Sequence, residues 1–554
     1  MLRFIALSGT TGVTENLYIY EHLPAGRQGI GEMMVVDCGI GFPDLEMPGV
    51  DLVLPDYSYV VKNKNKLKGI VVSQGHEDHI GALPFILRDV RVPIWAPPLV
   101  TEFIKDKFKD YGVRDFKINT FNPDNDQFQI GSFKIQPFRV THSIPDTVGF
   151  AIDTSEGRVF HVPEHKMDQN PVDGKSFAIE RSRKLAKNNV LFLASDCLGA
   201  NKPGFIESEL PIEENMLNIV KNARKAVFAT AISSNIGRFQ QMINVANKVG
   251  RKVIFVGRSI QKKAEMAHNL DYLKYSPDQI ISFKEVGNYR PNQIMYIVAG
   301  CYGQVGSSIY RISQGEHDKV TVNAGDVFIF SADPAPPYTK ESEDFVIDNL
   351  IDKGVDVHYY DLNEGLYVSG HGGQEDIKKL FEIVKPKYFI PIGGNIRFMH
   401  SYGKLVESIG VDSSKVFKLK AGESVIFDKG DVSRGETVPT KDILVHGLGI
   451  GDIGKVVLGD RAILGNEGIV VVAIKIGKNG KYVGNPEIIS KGFVFEGTDR
   501  KILENAVLDL TKILNSKGNL KAKSLKEESI KFLEKHFFKV TGRSPMILPI
   551  ILEI

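Results

Sequence analysis

The chain has 554 residues, more than one ordinary hydrophobic core accommodates, so about three domains are expected. Its hydrophobic fraction of 42% and charged fraction of 25% are typical of a soluble globular protein and exclude a largely disordered chain. The net charge of +2 lacks the strongly basic balance of a dedicated nucleic-acid binder, so a local groove must supply the charge if RNA binds.

The amino terminus and the cysteines indicate the compartment. Met1 is followed by strand-like residues rather than by a leader, and no apolar run reaches membrane-spanning length, so we expect a cytoplasmic chain with no membrane partner. Cys38, Cys197 and Cys301 form no CxxC pair, so neither a disulfide framework nor a thiolate zinc site is indicated. We interpret all three as small, mostly buried residues.

Short β-branched runs alternate with turn clusters from residue 2 to about residue 205, a pattern that predicts strands, several buried on both faces. A Pro/Gly-containing stretch from His22 to Gly31 is interpreted as a surface hairpin loop. The predicted strands include Leu17–Tyr20, Met34–Val36, Gly69–Val72, Phe133–Ile135 and Val148–Ala151.

From about residue 207 to residue 355 the pattern changes to strand–helix alternation, which predicts a parallel, doubly wound sheet. A helix beginning at Asn235 places Phe239, Ile243, Ala246 and Val249 on one face. The predicted strands of this region are Ala226–Ala229, Val253–Val256 and Ile294–Val298.

The remaining elements are expected to complete the first domain and to form a small α+β domain. The first domain would be completed by the strand Gly365–Val368, a Gly/His loop, the helix Gln374–Val384 and the strand Tyr388–Ile390. The last domain would contain Gly-rich strands from about Asp442, the apolar run Ile469–Ile474, helices Asp499–Leu514 and Ser524–Phe538, and the strand Met546–Ile554. The predicted division is therefore 1–206 with 356–441, an insert at 207–355, and 442–554.

The most specific local motif is Gln74-Gly75-His76-Glu77-Asp78-His79, directly after an apolar strand. Its imidazoles and carboxylate suit zinc, and a sharp turn at the strand end brings them together. The alternative is a polar loop in which Asp78 caps the next helix. We favour the metal interpretation because His-x-Asp-His is uncommon at a strand end by chance.

This motif resembles the His-x-His-x-Asp-His signature of the metallo-β-lactamase superfamily, and its continuation Ile80–Pro84 is similar to the ribonuclease J family in particular. The resemblance extends along the whole chain and implies a metallo-β-lactamase αββα sandwich with an inserted β-CASP α/β domain and a small C-terminal α+β domain. The other similar segments are Asp37–Gly39, Thr141–Asp146, Gln169–Gly174, Ser369–Gly372, Val445–Gly454 and Arg543–Pro549.

The resemblance also implies a function, namely RNA processing and degradation by metal-dependent hydrolysis, as a 5′-to-3′ exonuclease and as an endonuclease. RNA is the implied partner and Zn²⁺ the implied metal, in one or two ions, with Mn²⁺ or Mg²⁺ as alternatives. The ligands implied for one metal are Gln74, His76, His142 and Glu164, and those for the other are Asp78, His79, Glu164 and Gly393.

Three of these positions depart from the family pattern. The family has His at the positions of Gln74 and Gly393 and a bridging Asp at the position of Glu164. Gln74 offers only a neutral carbonyl oxygen and Gly393 no side chain, whereas Glu164 keeps a carboxylate. One metal is therefore expected more firmly than two. His161 or His165 would compensate as a ligand, although an ordinary strand-end histidine is the more common interpretation.

Two further positions resemble motifs of the β-CASP class. Asp196 resembles its first acidic motif and His371 its second motif, and with Asp78 they are the predicted catalytic residues. His371 would donate a proton to the leaving oxygen, while Asp196 would orient a ligand or water. The alternative for both is turn capping.

The start of one predicted helix and a neighbouring loop are the predicted phosphate contacts. Ser234, Asn235 and Arg238 open the helix, where amides and a guanidinium favour phosphate, and the family has His where this chain has Gly237. A solvated helix residue is an equal alternative for Arg238. The other predicted RNA contacts are Ser369 and His371.

Two functions stay open at this stage. The first is a metal-dependent ribonuclease; the second is a catalytically impaired paralogue that binds RNA or assembles with an active ribonuclease. The resemblance implies that the C-terminal domain serves oligomerisation, so we expect a dimer, a tetramer, or a hetero-oligomer with a related ribonuclease.

Overall fold

The computed structural model describes residues 1–23, 31–44, 46–187, 189–334, 339–362, 364–447, 449–478, 482–494, 500–516 and 522–554. The chain divides into two compact units, Met1–Phe42 with Val53–Ile443, and Pro43–Leu52 with Leu444–Ile554. Among the described residues, no helix is long and apolar enough to cross a membrane. Most of the predicted hairpin loop between His22 and Gly31 lies outside the described residues.

Strands dominate the first 200 residues, as the β-branched runs predict. In chain order the elements are β1 (Leu2–Ser8), β2 (Leu17–His22), β3 (Glu32–Val36), β4 (Leu52–Leu54), α1 (Ser58–Lys62), β5 (Leu67–Val71), α2 (Glu77–Ile80), α3 (Leu83–Asp89), β6 (Ile94–Ala96), α4 (Pro98–Asp110), β7 (Ile118–Thr120), β8 (Phe128–Ile130), β9 (Phe133–Arg139), β10 (Val148–Thr154), β11 (Gly157–Val162), α5 (Ile179–Leu185) and β12 (Val190–Asp196).

The next segment alternates helices and strands. Its elements are α6 (Pro211–Val220), β13 (Val227–Thr230), α7 (Ile236–Lys248), β14 (Lys252–Val256), α8 (Arg258–Asn269), β15 (Ile294–Val298), α9 (Ser308–Gln314), β16 (Val327–Phe330), α10 (Lys340–Asp352) and β17 (Asp356–His358). The larger unit ends with α11 (Gln374–Val384), β18 (Tyr388–Ile392), α12 (Ile396–Ser408), β19 (Ser424–Asp428) and β20 (Asp431–Arg434).

Two sheets form the centre of a four-layer sandwich. One has the order β20-β19-β1-β2-β3-β5-β6-β7 and the other β18-β12-β11-β10-β9-β8. Apolar side chains such as Phe4, Tyr20, Phe150 and Phe192 fill a common core cluster. Helices α5, α11 and α12 share a second cluster with the outer face of the shorter sheet. The αββα sandwich implied by the resemblance is therefore confirmed.

The chain returns to this sandwich after the insert. Strand β19 pairs with β1 and strand β18 with β12, so the late segment completes the first domain as expected. The predicted strand Gly365–Val368 is wrong. The carbonyl oxygen of Leu366 accepts hydrogen bonds from the side chains of Arg238 and Ser331. Side chains thus donate to a backbone carbonyl that, in a strand, would accept a hydrogen bond from the neighbouring strand.

The insert is a parallel sheet of order β14-β15-β13-β16-β17, as the alternating pattern predicts. Helix α7 buries the predicted face with Phe239, Ile243 and Ala246, while Val249 lies just beyond the helix end. The β-CASP-like α/β insert is therefore confirmed as a fold.

The smaller unit contains β21 (Ile443–His446, which begins at the unit boundary), β22 (Gly449–Ile450), α13 (Lys455–Asn466), β23 (Ile469–Ile476), β24 (Glu487–Lys491), α14 (Arg500–Ser516), α15 (Ala522–Thr541) and β25 (Met546–Glu553). Strand β23 lies between an antiparallel β24 and a parallel β25, and α14 and α15 share one apolar cluster with it. The α+β prediction is confirmed, but helix α13 falls in a segment predicted as Gly-rich strands. The glycines that suggested strands, Gly459 and Gly465, lie in open space within this helix, because a Cβ at either position would meet nothing within 4 Å. Neither position therefore needs a packed side chain.

Candidate metal centre

The Gln74–His79 segment is fixed against the residues that follow β3. The Ser73 amide and hydroxyl donate to the Asp37 carboxylate, at 2.8 and 2.7 Å. The Cys38 amide donates to the His79 carbonyl at 2.8 Å, and a Cβ on Gly39 would lie 1.5 Å from the Asp78 carbonyl oxygen. Only glycine permits this approach. The ends of two neighbouring parallel strands thereby set the position of Asp78 and His79.

The first group of possible metal ligands consists of Asp78, His79 and Glu164. Nδ1 of His79 lies 2.8 Å from Oδ2 of Asp37, an arrangement that keeps a proton on Nδ1, so that Nε2 carries the lone pair of the neutral ring. That Nε2 atom lies 3.2 Å from Oε1 of Glu164 and 3.4 Å from Oδ2 of Asp78. Three Lewis-basic atoms therefore converge in this group.

The second group consists of His142, Glu164 and His371. Nδ1 of His142 donates to the Gly370 carbonyl at 2.9 Å, which again leaves Nε2 with a lone pair. Nε2 lies 2.9 Å from Oε2 of Glu164. In each group, one ligand atom per residue lies within 4.8 Å of the others. The two groups share Glu164, one carboxylate oxygen facing each histidine.

Burial and charge act in opposite directions at these groups. Burial alone raises the pKa of the Glu164 carboxyl, but His79 and His142 outweigh it and hold the pKa well below its usual range. Burial alone lowers the pKa of His79, but the Asp78, Asp37 and Glu164 carboxylates raise it well above its usual value. The Glu164 carboxylate and the His79 imidazole therefore stabilise each other in their charged forms.

Gln74 lies between the two groups. Its side-chain nitrogen is hydrogen-bonded to Oε2 of Glu164 and lies 2.9 Å from Nε2 of His79. Its carbonyl oxygen is buried and has no hydrogen-bond partner among the described residues. The structure therefore brings Gln74 to the predicted place, with an unpartnered oxygen available to a cation.

His76 packs edge-on against His142, with ring centroids 5.1 Å apart, but both of its ring nitrogens are engaged elsewhere. Its Nδ1 lies 2.7 Å from the Ser234 hydroxyl and its Nε2 lies 2.8 Å from the Ser143 hydroxyl. Both ring nitrogens thus have protein partners, and burial, followed by the neighbouring His142, lowers the pKa of His76 well below its usual value. Within the described part of the chain, His76 belongs to neither ligand group, unlike the predicted ligand set.

Asp196 and His371 form a direct pair. Oδ2 of Asp196 lies 2.7 Å from Nδ1 of His371, and Oδ1 accepts the Leu198 amide at 2.8 Å. Burial alone lowers the pKa of His371, but the Asp196 carboxylate outweighs it and raises the pKa to about 9. The ring of His371 also lies at an edge-on angle to that of His142, with centroids 5.1 Å apart. The two predicted catalytic residues therefore meet at the second ligand group.

Gly393 adds no ligand but leaves room for one. Its φ of +68° is a left-handed conformation, and its amide donates to the Gly9 carbonyl and the Tyr18 hydroxyl. A Cβ at this position would lie 3.5 Å from Oδ1 of Asp196, an ordinary contact distance. Space at the Cβ is therefore adequate, but the left-handed backbone favours glycine and would strain a histidine here.

The predicted phosphate contacts are mostly engaged within the protein. The Asn235 side chain caps α7 by accepting the Arg238 amide at 2.9 Å, and the Ser234 hydroxyl is bonded to His76. The Ser369 hydroxyl accepts the His371 amide at 3.2 Å. A Cβ on Gly237 would meet Val172 only at 3.5 Å, so the place of the family histidine is open.

Arg238 is buried, with only 1% of its surface exposed. Its guanidinium donates to Gln241 at 2.9 Å, to Ser331 at 2.6 Å and to Glu209 at 3.0 Å. All three guanidinium nitrogens thus have protein acceptors, which differs from both earlier interpretations, a phosphate contact and a solvated helix residue. We assign Arg238 a structural role.

The two possible substitute ligands lie outside the ligand groups. Nδ1 of His161 lies 3.0 Å from the Tyr20 hydroxyl, and burial lowers the pKa of His161 to about 4. His165 is buried, with neither ring nitrogen hydrogen-bonded within the described residues. Of the residues that the structure describes, neither histidine shares a ligand group with Glu164.

Two residues of the centre escaped the sequence analysis as functional groups. Asp37 orients His79, and Asn16 donates to Oδ2 of Asp78 at 3.1 Å. A signal for Asp37 existed, because it follows a buried strand beside β5 in a parallel arrangement. Asn16 comes from a loop and carries no comparable signal.

Three family models match separate parts of the chain. They are the Beta-lactamase superfamily domain at residues 34–184, the Ribonuclease J, beta-CASP domain at 224–350 and the Ribonuclease J C-terminal domain at 456–554. The chain is 31% identical over 570 residues to Ribonuclease J2 of Bacillus subtilis, across 100% of this chain and 99% of that protein. It is 32% identical over 558 residues to Ribonuclease J 2 of Staphylococcus aureus, across 100% of this chain and 98% of that protein.

The chain belongs to the ribonuclease J family. A solved structure, a protein of unknown function from Enterococcus faecalis, covers 76% of this ribonuclease J-family chain with a TM-score of 0.52 and 13% identity, and supports the fold alone. The metallo-β-lactamase fold and the ligand groups together indicate metal dependence. The predicted domain boundaries at residues 206, 355 and 441 stay a prediction.

Proposed function

We propose that this chain processes and degrades RNA by metal-dependent hydrolysis of phosphodiester bonds, as an exonuclease and an endonuclease. The observation that carries the proposal is the shared Glu164 carboxylate, whose two oxygens face Nε2 of His79 and Nε2 of His142 at 3.2 and 2.9 Å. At such distances each nitrogen and its facing oxygen hold either a proton or a metal cation between them. The centre is therefore built for positive charge.

The residues present fit a metal. The groups supply imidazole nitrogen and carboxylate oxygen, the donors that zinc prefers, and the unpartnered Gln74 carbonyl oxygen adds a neutral donor. Asp78, His79, Glu164 and His142 would hold it. Zn²⁺ is the first choice, in one or two ions, and Mn²⁺ or Mg²⁺ the alternatives, with magnesium least suited to imidazole. When bound, the metal supplies Lewis-acid polarisation of a phosphoryl oxygen and lowers the pKa of water.

The chain's own residues orient the reacting groups. Asp37 fixes the His79 ring through Nδ1, and the Gly370 carbonyl does the same for His142. Asp196 holds the Nδ1 proton of His371, which leaves Nε2 of that ring to pass a proton to the leaving oxygen. A histidine that ligates a metal through one nitrogen carries no proton there, so we assign His371 to proton transfer and not to the metal.

The alternative of an impaired chain that only binds RNA or assembles with an active ribonuclease is not favoured. The relatives that match over the full length carry the name of a ribonuclease. Two further parts complete the proposal: a cytoplasmic location, expected from the sequence, and a dimer, a tetramer or a hetero-oligomer with a related ribonuclease, implied by the resemblance.

Cleavage of a 5′-monophosphorylated RNA by purified variants tests the proposal. Glu164→Gln keeps the size of the side chain and removes the charge that both histidines face, so we expect the rate to fall by about 100-fold or more. Glu180→Gln is the matched control, because its carboxylate is 85% exposed on α5 and pairs only with Arg183 among the described residues. Equal rates for wild type and Glu164→Gln would overturn the proposal.

A further inference from the structure

A second concave surface lies in the larger unit beyond the end of α3. It has a cavity volume of about 410 Å³, within the range of ordinary ligand sites. Apolar residues such as Val90, Val92 and Pro93 line part of it. We call it the basic pocket, because its lining includes four cations and one carboxylate, namely Arg88, Arg91, Arg114, Lys117 and Asp115.

The cations of the basic pocket are not neutralised by carboxylates, although Arg88 lies over the Phe85 ring, 5.6 Å from its centroid. All four are exposed, and within the described residues none lies within ion-pair distance of an acidic side chain. Other surface cations nearby behave differently: Lys105 pairs with Glu102 at 2.7 Å, and Lys262 pairs with Asp106 at 3.0 Å. Unneutralised cations gathered at one concave surface favour a polyanion.

Two aromatic rings lie among these cations. Tyr111 is 38% exposed and Phe116 39% exposed. Each is held edge-on by a buried ring: Tyr111 by Phe85, with centroids 5.2 Å apart, and Phe116 by Phe108, with centroids 4.8 Å apart. Packing of this kind fixes the exposed rings before a ligand arrives, so stacking on them costs little ordering.

Unneutralised cations interleaved with fixed, exposed aromatic rings are the combination that binds single-stranded nucleic acid, through phosphate contacts and base stacking. We propose that the basic pocket binds a single-stranded RNA segment outside the metal centre. This inference rests on the proposed function. Residues 91–93 of the pocket precede β6 and residues 114–117 precede β7, whereas the metal motif follows the end of β5. Because these three strands are parallel, the pocket lies at the opposite edge of the sheet from the metal centre.

A membrane surface or an acidic protein would contact the cations but would not need two exposed aromatic rings, each held in place by a buried ring. RNA is also a long ligand, so one extended strand would engage both the metal centre and the pocket at the other edge of the sheet. The proposal therefore predicts that RNA length decides whether the pocket contributes. A short RNA fills the centre alone, whereas a longer RNA engages both.

The test measures binding of full-length protein in EDTA to single-stranded RNAs of about 4 and about 15 nucleotides, as a function of salt. The first variant is Arg91→Gln/Arg114→Gln/Lys117→Gln, and the second is Tyr111→Leu/Phe116→Leu. The matched control is Arg224→Gln/Lys284→Gln/Lys404→Gln, three exposed cations elsewhere on the larger unit. Unfolding midpoints verify that each variant folds.

For the longer RNA we expect the cation variant to bind about tenfold more weakly and to lower the slope of log K against log salt by about 2. The aromatic variant should lose about fivefold in affinity with an unchanged salt slope. Short-RNA binding and the control variant should match wild type. Wild-type affinity of both pocket variants for the longer RNA would overturn the inference, and so would an equal loss for short and long RNA.

Failure of the underlying function would look different. In that case wild type resupplied with metal would leave both RNAs uncut, whereas the affinities measured in EDTA decide the pocket inference alone. Binding of the wild type to acidic vesicles but not to the longer RNA would assign the pocket to a membrane surface and overturn the inference. Ultraviolet cross-linking of a 4-thiouridine-substituted RNA provides a direct readout, with adducts expected on the peptide that carries Tyr111 and Phe116.

Discussion

Oδ2 of Asp37 lies 2.8 Å from Nδ1 of His79, in a place where both side chains are fully buried. The contact fixes the tautomer and the plane of a ring whose other nitrogen faces Glu164 and Asp78. A carboxylate behind a metal-binding histidine is a common device for orienting the ligand and raising its basicity. The opposite edge of the same ring is therefore prepared for a cation.

Asp37→Asn tests this relationship. The amide keeps the shape but removes the charge, so we expect metal affinity and RNA cleavage to fall by about 10- to 100-fold. Metal content after dialysis at a fixed free-zinc concentration is the measurement. Asp153→Asn, a carboxylate on β10 that pairs with Arg158 at 2.6 Å, is the control. Unchanged metal retention in Asp37→Asn would remove Asp37 from the centre.

Gln74→His tests whether the amide limits the metal site. Imidazole is a better zinc ligand than an amide oxygen, and Gln74 already lies against Glu164 and His79. We expect the metal affinity of Gln74→His to be about tenfold higher than that of wild type, at the lower end of the range for changes around metal ligands. Gln74→Leu removes the polar atoms at similar volume and should lower the metal affinity. An affinity for Gln74→His equal to or below that of Gln74→Leu would contradict a ligand role at this position.

Arg238→Met tests the structural assignment of this residue. Removal of Arg238 leaves its buried acceptors without their donor, while Lys166 still lies 3.7 Å from Glu209. The free energy of unfolding should therefore fall by about 3 kcal/mol. Urea denaturation measures the loss, with the exposed Arg224→Met as the control. A stable Arg238→Met that binds RNA more weakly would return Arg238 to the phosphate contacts.

Glu15→Gln tests the cost of a buried carboxylate. Burial, with a smaller contribution from Asp442, raises the pKa of Glu15 to about 7, although the Ser8 hydroxyl acts in the opposite direction. The folded state therefore holds a proton that the unfolded chain releases near its ordinary pKa, and stability falls as pH rises from about 4.5 to about 7.

The substitution should remove that cost. We expect Glu15→Gln to be more stable than wild type by about 2 to 3 kcal/mol at alkaline pH and no more stable at acid pH. Thermal or urea unfolding at pH values on either side of this window is the measurement. A difference between the two proteins that does not change with pH would show that Glu15 titrates normally.

The sequence predicts the sandwich, the inserted α/β domain and the carboxyl-end position of the metal motif, because these depend on local periodicity and on the rule that parallel strands end at one edge. Helix α11 begins and ends where the periodicity places it, at Gln374 and Val384. The strand at Gly365–Val368 fails because its backbone pairs with side chains from distant segments. Local pattern carries no information on such partners.

The candidate site also has features that the sequence predicts and features that only the folded chain decides. Asp78, His79 and Glu164 meet as the motif and the resemblance imply, since they follow strand ends. The partners of His76 and Arg238 are not predictable in this way. Ser234 lies 158 residues from His76 and Leu366 lies 128 residues from Arg238, so only the folded chain decides whether these side chains are engaged.

The central claim is that the histidine and carboxylate groups around Glu164 hold a metal that RNA cleavage requires. The most direct measurement is metal content per purified chain by elemental analysis, beside cleavage of a 5′-monophosphorylated RNA by protein stripped of metal and then resupplied with zinc or manganese. We predict bound metal in wild type, its loss in Asp78→Ala/Glu164→Ala, and cleavage that returns only when metal is restored to wild type. Cleavage that persists in the stripped protein or in the double variant would contradict the account.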